Sequence, residues 1–338
     1  MRIIVDNHIP NIQGLIEPRA EVLYLEPGDI TREVVKDADA LIVRTRTRCD
    51  AELLEGSRVQ FIGSATIGTD HIDLDYCASR GIIVRNAPGC NAPAVAQWVF
   101  CAIAAWMRQH DISTPEGLTL GVVGVGHIGT IDARWGRELG FTVLLNDPPR
   151  ACSERDDSFL PLDELQRRCD IITLHTPLTH DGQWPTWHLC DQAFLDGLSR
   201  CRLLLNASRG SVADNAALLG WHGDIGLDCW ENEPNISRDL LDKTIVATPH
   251  IAGYSREGKQ RGTAMMLEAL NDFYGWDIPI PTIASPATGA AQVTLDGIAA
   301  SYDILADTAR LKADPSAFES LRNHYPHRPE YQALVSSL

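Results

Sequence analysis

"LTLGVVGVGHIG", residues 118–129, runs an apolar strand pattern straight into three glycines, Gly124, Gly126 and Gly129, spaced as G-x-G-x-x-G. The next stretch, "IDARWGRELG", reads as a helix. In that setting such glycines allow a tight turn and bring backbone N–H groups close to a pyrophosphate, which then rests on the positive end of the helix. Asp147 ends the following strand pattern, "TVLLND" (142–147), eighteen residues past Gly129. A carboxylate there accepts hydrogen bonds from ribose hydroxyls and repels a 2′-phosphate, which selects NAD over NADP. Arg150, in "DPPR", is expected to be a solvated side chain.

The alternation of strand and helix extends in both directions. Downstream lie "DIITLH" (170–175), "RLLLNAS" (202–208), "IGLDCW" (225–230) and "TIVATPH" (244–250). Upstream lie "RIIVD" (2–6), "EVLYL" (21–25), "ALIVR" (40–44), "FIGSA" (61–65) and "IIVRN" (82–86). Near-continuous apolar strands separated by helices indicate parallel sheets covered on both faces. "APAVAQWVFCAIAAWMRQH" (92–110) is apolar nearly all round and reads as a buried helix joining the two series, and 255–276 reads as a long helix leaving the second. The expected fold is α/β, with two doubly wound parallel-sheet domains. A flavodoxin-like substrate domain takes 1–91 and 251–283, and a Rossmann NAD domain takes 92–250. Residues 284–338 are expected as a short C-terminal α+β dimerisation module, with a strand at "QVTLDG" and then helices. So short a segment buries too little surface to stand alone, so it is given to a homodimer contact.

A chain of 338 residues exceeds what one core usually serves. Its 45 acidic residues against 29 basic ones leave a formal charge of −16, which argues against nucleic-acid and membrane partners. Nine scattered cysteines without a C-x-x-C pair read as reduced thiols of a cytoplasmic protein. "MRIIVDNHIP" enters a strand pattern with no signal segment, and the apolar run 98–107 is too short to span a bilayer.

Three residues follow strand patterns of the second series, where doubly wound sheets place their chemistry: Arg209, Glu233 and His250. Oxidising a 2-hydroxy acid by hydride loss needs a guanidinium to clamp the carboxylate, a base for the hydroxyl proton, and a carboxylate to hold that base. Arg209, His250 and Glu233 fit those tasks in that order. Singly, each has a plainer reading as a surface ion pair, a core histidine and a loop acid; downstream of a dinucleotide turn, the three together read as a site. His175 with His180, and His324 with His327, are spaced so that no two imidazoles share a helical face, so no metal is expected. His71 is expected to hold a turn, and Cys90 and Cys229 to be packing residues.

The series "GVVGVGHIG", "NDPPR", "LHTPL", "NASRG", "LDCWENEP" and "TPHIAGY" resembles the motifs of the D-2-hydroxyacid dehydrogenases, in their order. "GSATIGTDHID", "APGCNAPAVAQWV", "PLTHDGQWPTWHL" and "HIAGYSREGKQRGT" are similar to the erythronate-4-phosphate dehydrogenase branch of that family. The resemblance runs from Met1 to about residue 275 and continues faintly beyond. It implies NAD-dependent oxidation at C2 of 4-phosphoerythronate to 2-oxo-3-hydroxy-4-phosphobutanoate, a step of vitamin B6 biosynthesis. It implies that Arg209 and Glu233 are active-site residues and that His250 is the proton-transfer group. It further implies that His127 and Ile128 in the phosphate turn, with Asp147, Thr176, Asp228 and Gly253, contact NAD, and that Arg44, Thr45, Thr66 and Tyr254 bind substrate. Thr45 stands where the family usually carries serine, His127 where asparagine or arginine is commoner, and the C-terminal module reads as a few dozen residues short. A relative acting on 3-phosphoglycerate or an unphosphorylated 2-hydroxy acid, and a catalytically silent NAD-binding regulatory module, are the alternative readings.

"LIVRTRTRCD" (41–50) sets Arg44, Arg46 and Arg48 at alternate positions in an otherwise acidic chain. If the segment stays extended, all three share one face and meet a phosphate of nearly two negative charges. The other reading is a solvated sheet edge guarded from mispairing. Arg44 is the residue given to the phosphate, and Arg328, in "HRPEY", is a candidate for the phosphate in a partner subunit.

Overall fold

A computed structural model describes residues 1–283 and 292–331. They form two compact units, residues 1–91 with 255–283 and residues 92–254 with 292–331. Residues 251–254 and the described C-terminal residues thus lie with the dinucleotide-binding unit, where the sequence boundaries set them apart.

The first unit holds five parallel strands: β1 (Arg2–Asp6), β2 (Glu21–Leu25), β3 (Ala40–Val43), β4 (Phe61–Ser64) and β5 (Ile83–Arg85). Their order, β2-β1-β3-β4-β5, is the flavodoxin-like one. Ile3, Ile4, Leu41, Ile42 and Ile62 are fully buried, as a sheet covered on both faces requires. The registers Ile3↔Ala40 and Ala40↔Phe61 bring the C-terminal ends of β1, β3 and β4 to one edge, with Asp6, Arg44 and the Ser64–Thr66 segment on it. The extended run expected through residue 48 does not form. β3 stops at Val43, and the Arg44 carbonyl accepts the Thr47 N–H at 3.3 Å in a turn. Arg44, Arg46 and Arg48 therefore share no strand face.

The second unit holds β6 (Thr119–Val123), β7 (Thr142–Asn146), β8 (Ile171–Leu174), β9 (Leu203–Asn206), β10 (Asp224–Leu227) and β11 (Val246–Ala247), all parallel, in the order β11-β10-β9-β8-β6-β7. A single parallel bridge from Leu145 to Phe159 adds a vestigial strand outside β7. Counting it, the sheet has the 3-2-1-4-5-6 order of dinucleotide-binding folds, with the two-residue β11 added beyond the sixth place. The helix Ala92–Gln109 is buried along nearly its whole length, which is why its sequence shows no polar face. Its two indoles find acceptors, Trp98 on Thr248 Oγ1 at 2.9 Å and Trp106 on Asp224 at 3.0 Å.

The expected strand at "QVTLDG" is replaced by a helix, Leu295–Ser301, capped by Thr294, whose hydroxyl accepts the Gly297 N–H at 3.2 Å. Threonine serves strand and N-cap alike, and here the cap prevails. Helices Ile304–Ala313 and Phe318–Asn323 follow, and the described tail carries no strand beyond one bridge residue, Arg328, in place of the α+β module. The tail joins the core directly: Gln97 donates to Ser301 Oγ at 2.8 Å, and Thr308 Oγ1 accepts the Ala247 N–H of β11 at 3.1 Å. No disulfide joins any of the nine cysteines, and all but Cys152 are buried. No described helix is long and apolar enough to cross a membrane.

Candidate active site

Gly124 leaves β6 at φ +86°, and a Cβ there would lie 2.8 Å from the His175 carbonyl carbon, so no larger residue fits the turn. A Cβ on Gly129 would collide with the Gly124 carbonyl, so glycine lets the helix His127–Leu139 close on the strand. Around Gly126 the space is open within 4 Å. His127 and Ile128 begin the helix, so their N–H groups have no intrahelical acceptor and suit an anion.

Asp147, at the end of β7, braces this turn by accepting the Val125 N–H at 2.8 Å and the Arg150 N–H at 3.1 Å. The Arg150 side chain is 37% exposed, as a solvated side chain would be, yet it is also engaged. It pairs with Glu154 at 2.7 Å, donates to the Val125 carbonyl at 2.5 Å and lies 4.9 Å over the Phe159 ring. Beside the turn opens a cavity of about 840 Å³, lined by Gly124, Asp147, Phe159, Thr176, Trp184 and Leu189 among others. That size takes a nucleoside, and the buried Thr176 hydroxyl has no partner among the described residues, as a ligand-facing donor would not. The residues present therefore fit a dinucleotide.

At the end of β10, Asp228 is almost fully buried. Its carboxylate accepts Thr248 Oγ1 at 2.6 Å and the Ile251 and Ala252 N–H groups at 2.7 and 3.0 Å. Burial pushes its pKa up, against the His250 charge and these hydrogen bonds. Asp228, implied as a cofactor contact, also folds the loop that leads to Gly253. Within that loop His250 takes φ +57°, with its N–H on the Asp228 carbonyl at 2.8 Å.

The His250 Nδ1 lies 2.8 Å from Glu233 Oε2, while Glu233 Oε1 accepts the Trp230 N–H at 2.8 Å. Burial would raise the Glu233 pKa, but the hydrogen bond and charge of His250, the Trp230 N–H and the Arg322 charge hold it below the usual range. Gly210 packs against the Trp230 carbonyl so closely that a Cβ would collide, which draws the Arg209 loop onto the Trp230–Glu233 loop. Arg209 Nη1 donates to Ser208 O at 2.8 Å, and its charge reaches Cys229, a thiol that burial pushes well above its ordinary pKa. Arg209, Glu233 and His250 therefore gather at the ends of β9, β10 and β11.

Two described clusters hold three metal-type donors within 4.8 Å, Asp228–Cys229–His250 and His188–Asp214–Glu231. Their carboxylates already accept backbone N–H groups, among them Ile251, Ala216 and Asn215, so hydrogen bonding accounts for the geometry. His175 instead pairs with buried Asp132 at 2.7 Å.

In the first unit Arg44 donates Nε and Nη2 to the fully buried Asp6 at 2.9 and 3.2 Å. Lys259, on the helix Arg256–Tyr274, has its pKa lowered to about 8, by burial first and then by the Arg44 charge, with Asp6 opposing. Neither Asp6 nor Lys259 stands out in the sequence, since nothing local marks either as part of the arginine segment. Thr66 Oγ1 lies 2.8 Å from Ser64 Oγ, which is 3.4 Å from His71 Nε2, and Thr45 is exposed. Arg48 is exposed and pairs with Asp50 at 2.7 Å. Arg328 is corrected outright. It is buried, donates to the carbonyls of Ala94, Ile251, Ala252 and Tyr254, and lies 4.2 Å over the Tyr302 ring, so it holds the His250 loop and has no reach to a partner's phosphate.

Chemistry at the strand ends of a dinucleotide-binding sheet, with an imidazole held by a carboxylate, is that of NAD-linked dehydrogenases. Residues 93–252 match the family described as D-isomer specific 2-hydroxyacid dehydrogenase, NAD binding domain. Erythronate-4-phosphate dehydrogenase of Bacteroides thetaiotaomicron is 43% identical over 98% of this chain and 98% of its own. The enzyme of that name from Marinobacter nauticus is 42% identical over 100% of this chain and 95% of its own. Among solved structures, D-lactate dehydrogenase from Aquifex aeolicus, complexed with NAD and lactic acid, aligns at 26% identity over 81% of this chain and 96% of its own, with a TM-score of 0.68. The chain belongs to the D-isomer specific 2-hydroxyacid dehydrogenases, in the erythronate-4-phosphate dehydrogenase family, and its cofactor is NAD.

Proposed function

We propose that this chain oxidises 4-phosphoerythronate at C2 to 2-oxo-3-hydroxy-4-phosphobutanoate, a step of vitamin B6 biosynthesis. The observation that carries the reading is the Glu233–His250 pair at 2.8 Å, set at the strand ends of an NAD-binding unit whose relatives bear that enzyme's name. NAD, when bound, supplies the hydride acceptor. His250 donates Nδ1–H to Glu233, which leaves Nε2 as the acceptor for the C2 hydroxyl proton. Glu233 orients the ring and stabilises the imidazolium that forms. Arg209 clamps the substrate carboxylate. In the N-terminal unit, Arg44 and Lys259 take the 4-phosphate: Asp6 offsets the Arg44 charge and orients its fork, and Lys259 adds the second cation. Thr45, Thr66 and Tyr254 supply hydroxyl contacts to the substrate, and Gly253 lines the cofactor. The proposed setting is cytoplasmic, and the proposed assembly a homodimer.

The test is NAD reduction with 4-phosphoerythronate beside erythronate and 3-phosphoglycerate. A kcat/KM for 4-phosphoerythronate at least a hundredfold above either is expected. Comparable values, or no turnover, overturn the reading.

A further inference from the structure

We propose that Arg322, carried by the C-terminal helix Phe318–Asn323, is a positioning residue of the Glu233–His250 pair, setting a second cation on Glu233 and holding the Tyr254 hydroxyl; the proposal rests on His250 acting as the base. Arg322 Nη1 lies 3.8 Å from Glu233 Oε2, the same oxygen that His250 Nδ1 meets at 2.8 Å. It also hydrogen-bonds Tyr254, the residue that ends the His250 loop. The Arg322 side chain is only 14% exposed, and its Nε is buried with no partner among the described residues.

Burying a guanidinium with an unmet donor is unfavourable unless the groups it faces require it. The groups here are the carboxylate that orients the base and a hydroxyl expected at the substrate. Among the described residues its other ion pair, with Glu319 at 3.9 Å, lies within its own helix. The helix itself is well anchored. Phe318 is fully buried in a core shared with Leu311, Leu240 and Leu241. Arg328, just beyond, ties the same tail to residues 251–254.

The charge has a direction. The groups around His250 are Glu233 at Nδ1, Asp228 and Cys229 beneath the loop, and Arg209, Arg322 and Tyr254. Glu233 favours a proton on the imidazole, and Arg322 weakens that pull by drawing on the same oxygen. Oxidation needs an imidazole that is unprotonated before turnover. Arg322 is one of the charges that hold Glu233 ionised, and its removal leaves His250 as the only cation on Oε2 among the described residues.

The test reads the pair twice. The His250 ring nitrogens, assigned by their loss in H250Q, are titrated by NMR without substrate in the wild type, R322M and R322K, and the acid limb of kcat is measured with 4-phosphoerythronate and NAD. In R322M both midpoints are expected to rise by about 0.5–1 pH unit while NAD affinity stays within twofold, and R322K is expected to recover at least half of the shift. If R322M does not fold, R322Q, which keeps a donor for Tyr254 without the charge, is read in its place. An unmoved NMR midpoint in a folded variant, or R322K shifted as far as R322M, overturns the proposal. A shifted midpoint in a chain that turns over no hydroxy acid upholds the charge placement and removes the hydroxy-acid reading instead.

Discussion

His250 Nδ1 and Glu233 Oε2 stand 2.8 Å apart although they follow different strands, and the second Glu233 oxygen is fixed by the Trp230 N–H. The imidazole is therefore aimed by a carboxylate that cannot itself rotate freely. H250A is expected to lose about 10²–10⁴ in kcat with NAD affinity little changed, and E233Q somewhat less, because the single glutamine oxygen can still accept from His250 without the charge. Steady-state kinetics beside NAD titration checks this; turnover within tenfold of wild type in H250A would remove it as the base.

Asp147 has a structural duty beside the proposed one, since the carboxylate proposed for the ribose hydroxyls also receives the Val125 N–H. D147A is expected to lower NAD over NADP preference roughly tenfold to a hundredfold and to cost about 1–2 kcal/mol of stability, as the turn loses its acceptor. The kcat/KM ratio for the two cofactors and a urea melt report the two effects separately. A preserved cofactor ratio refutes the ribose role.

Lys259, with its pKa lowered to about 8, is charged below that pH and loses its charge as pH rises through it. Phosphate affinity should follow the charge. KM for 4-phosphoerythronate is expected to climb above about pH 8 in the wild type, and K259M to show a high KM at every pH with that climb gone. The KM profile of the dephosphorylated acid should be the same in both proteins. A wild-type climb that survives in K259M refutes the assignment.

Arg328 is held by backbone carbonyls from two segments and by Gln97. R328M strands those acceptors and is expected to lose roughly 3 kcal/mol of stability, with kcat falling before the fold is lost, as the His250 loop loosens. Thermal melts and activity against temperature check it. An unchanged melting temperature would show the carbonyls are satisfied otherwise.

The strands of both units were legible because a parallel strand between two helical layers must be apolar on both faces, and "ALIV" or "LLLN" can be little else. The glycine turn was legible because Gly124 and Gly129 each meet backbone where a Cβ would stand. Arg209, Glu233 and His250 were legible as polar residues placed just past such strands. Contacts made through space were not. Asp6 captures Arg44 from thirty-eight residues away, which defeats the alternation that would align the three arginines. Arg322 reaches Glu233 from a helix with no sequence link to it, and Thr294 is as good a strand former as a cap. Local pattern speaks to layers and turns; it is silent on which distant cation a buried carboxylate will choose.

Arg328 pins the His250 loop from seventy-seven residues beyond Ile251. As the polypeptide emerges from the ribosome, the strands of its cofactor sheet are out well before this last pin is made. The sheet that precedes it waits on the same tail, since Ile298 and Phe318 complete the cores around Trp98 and Leu240.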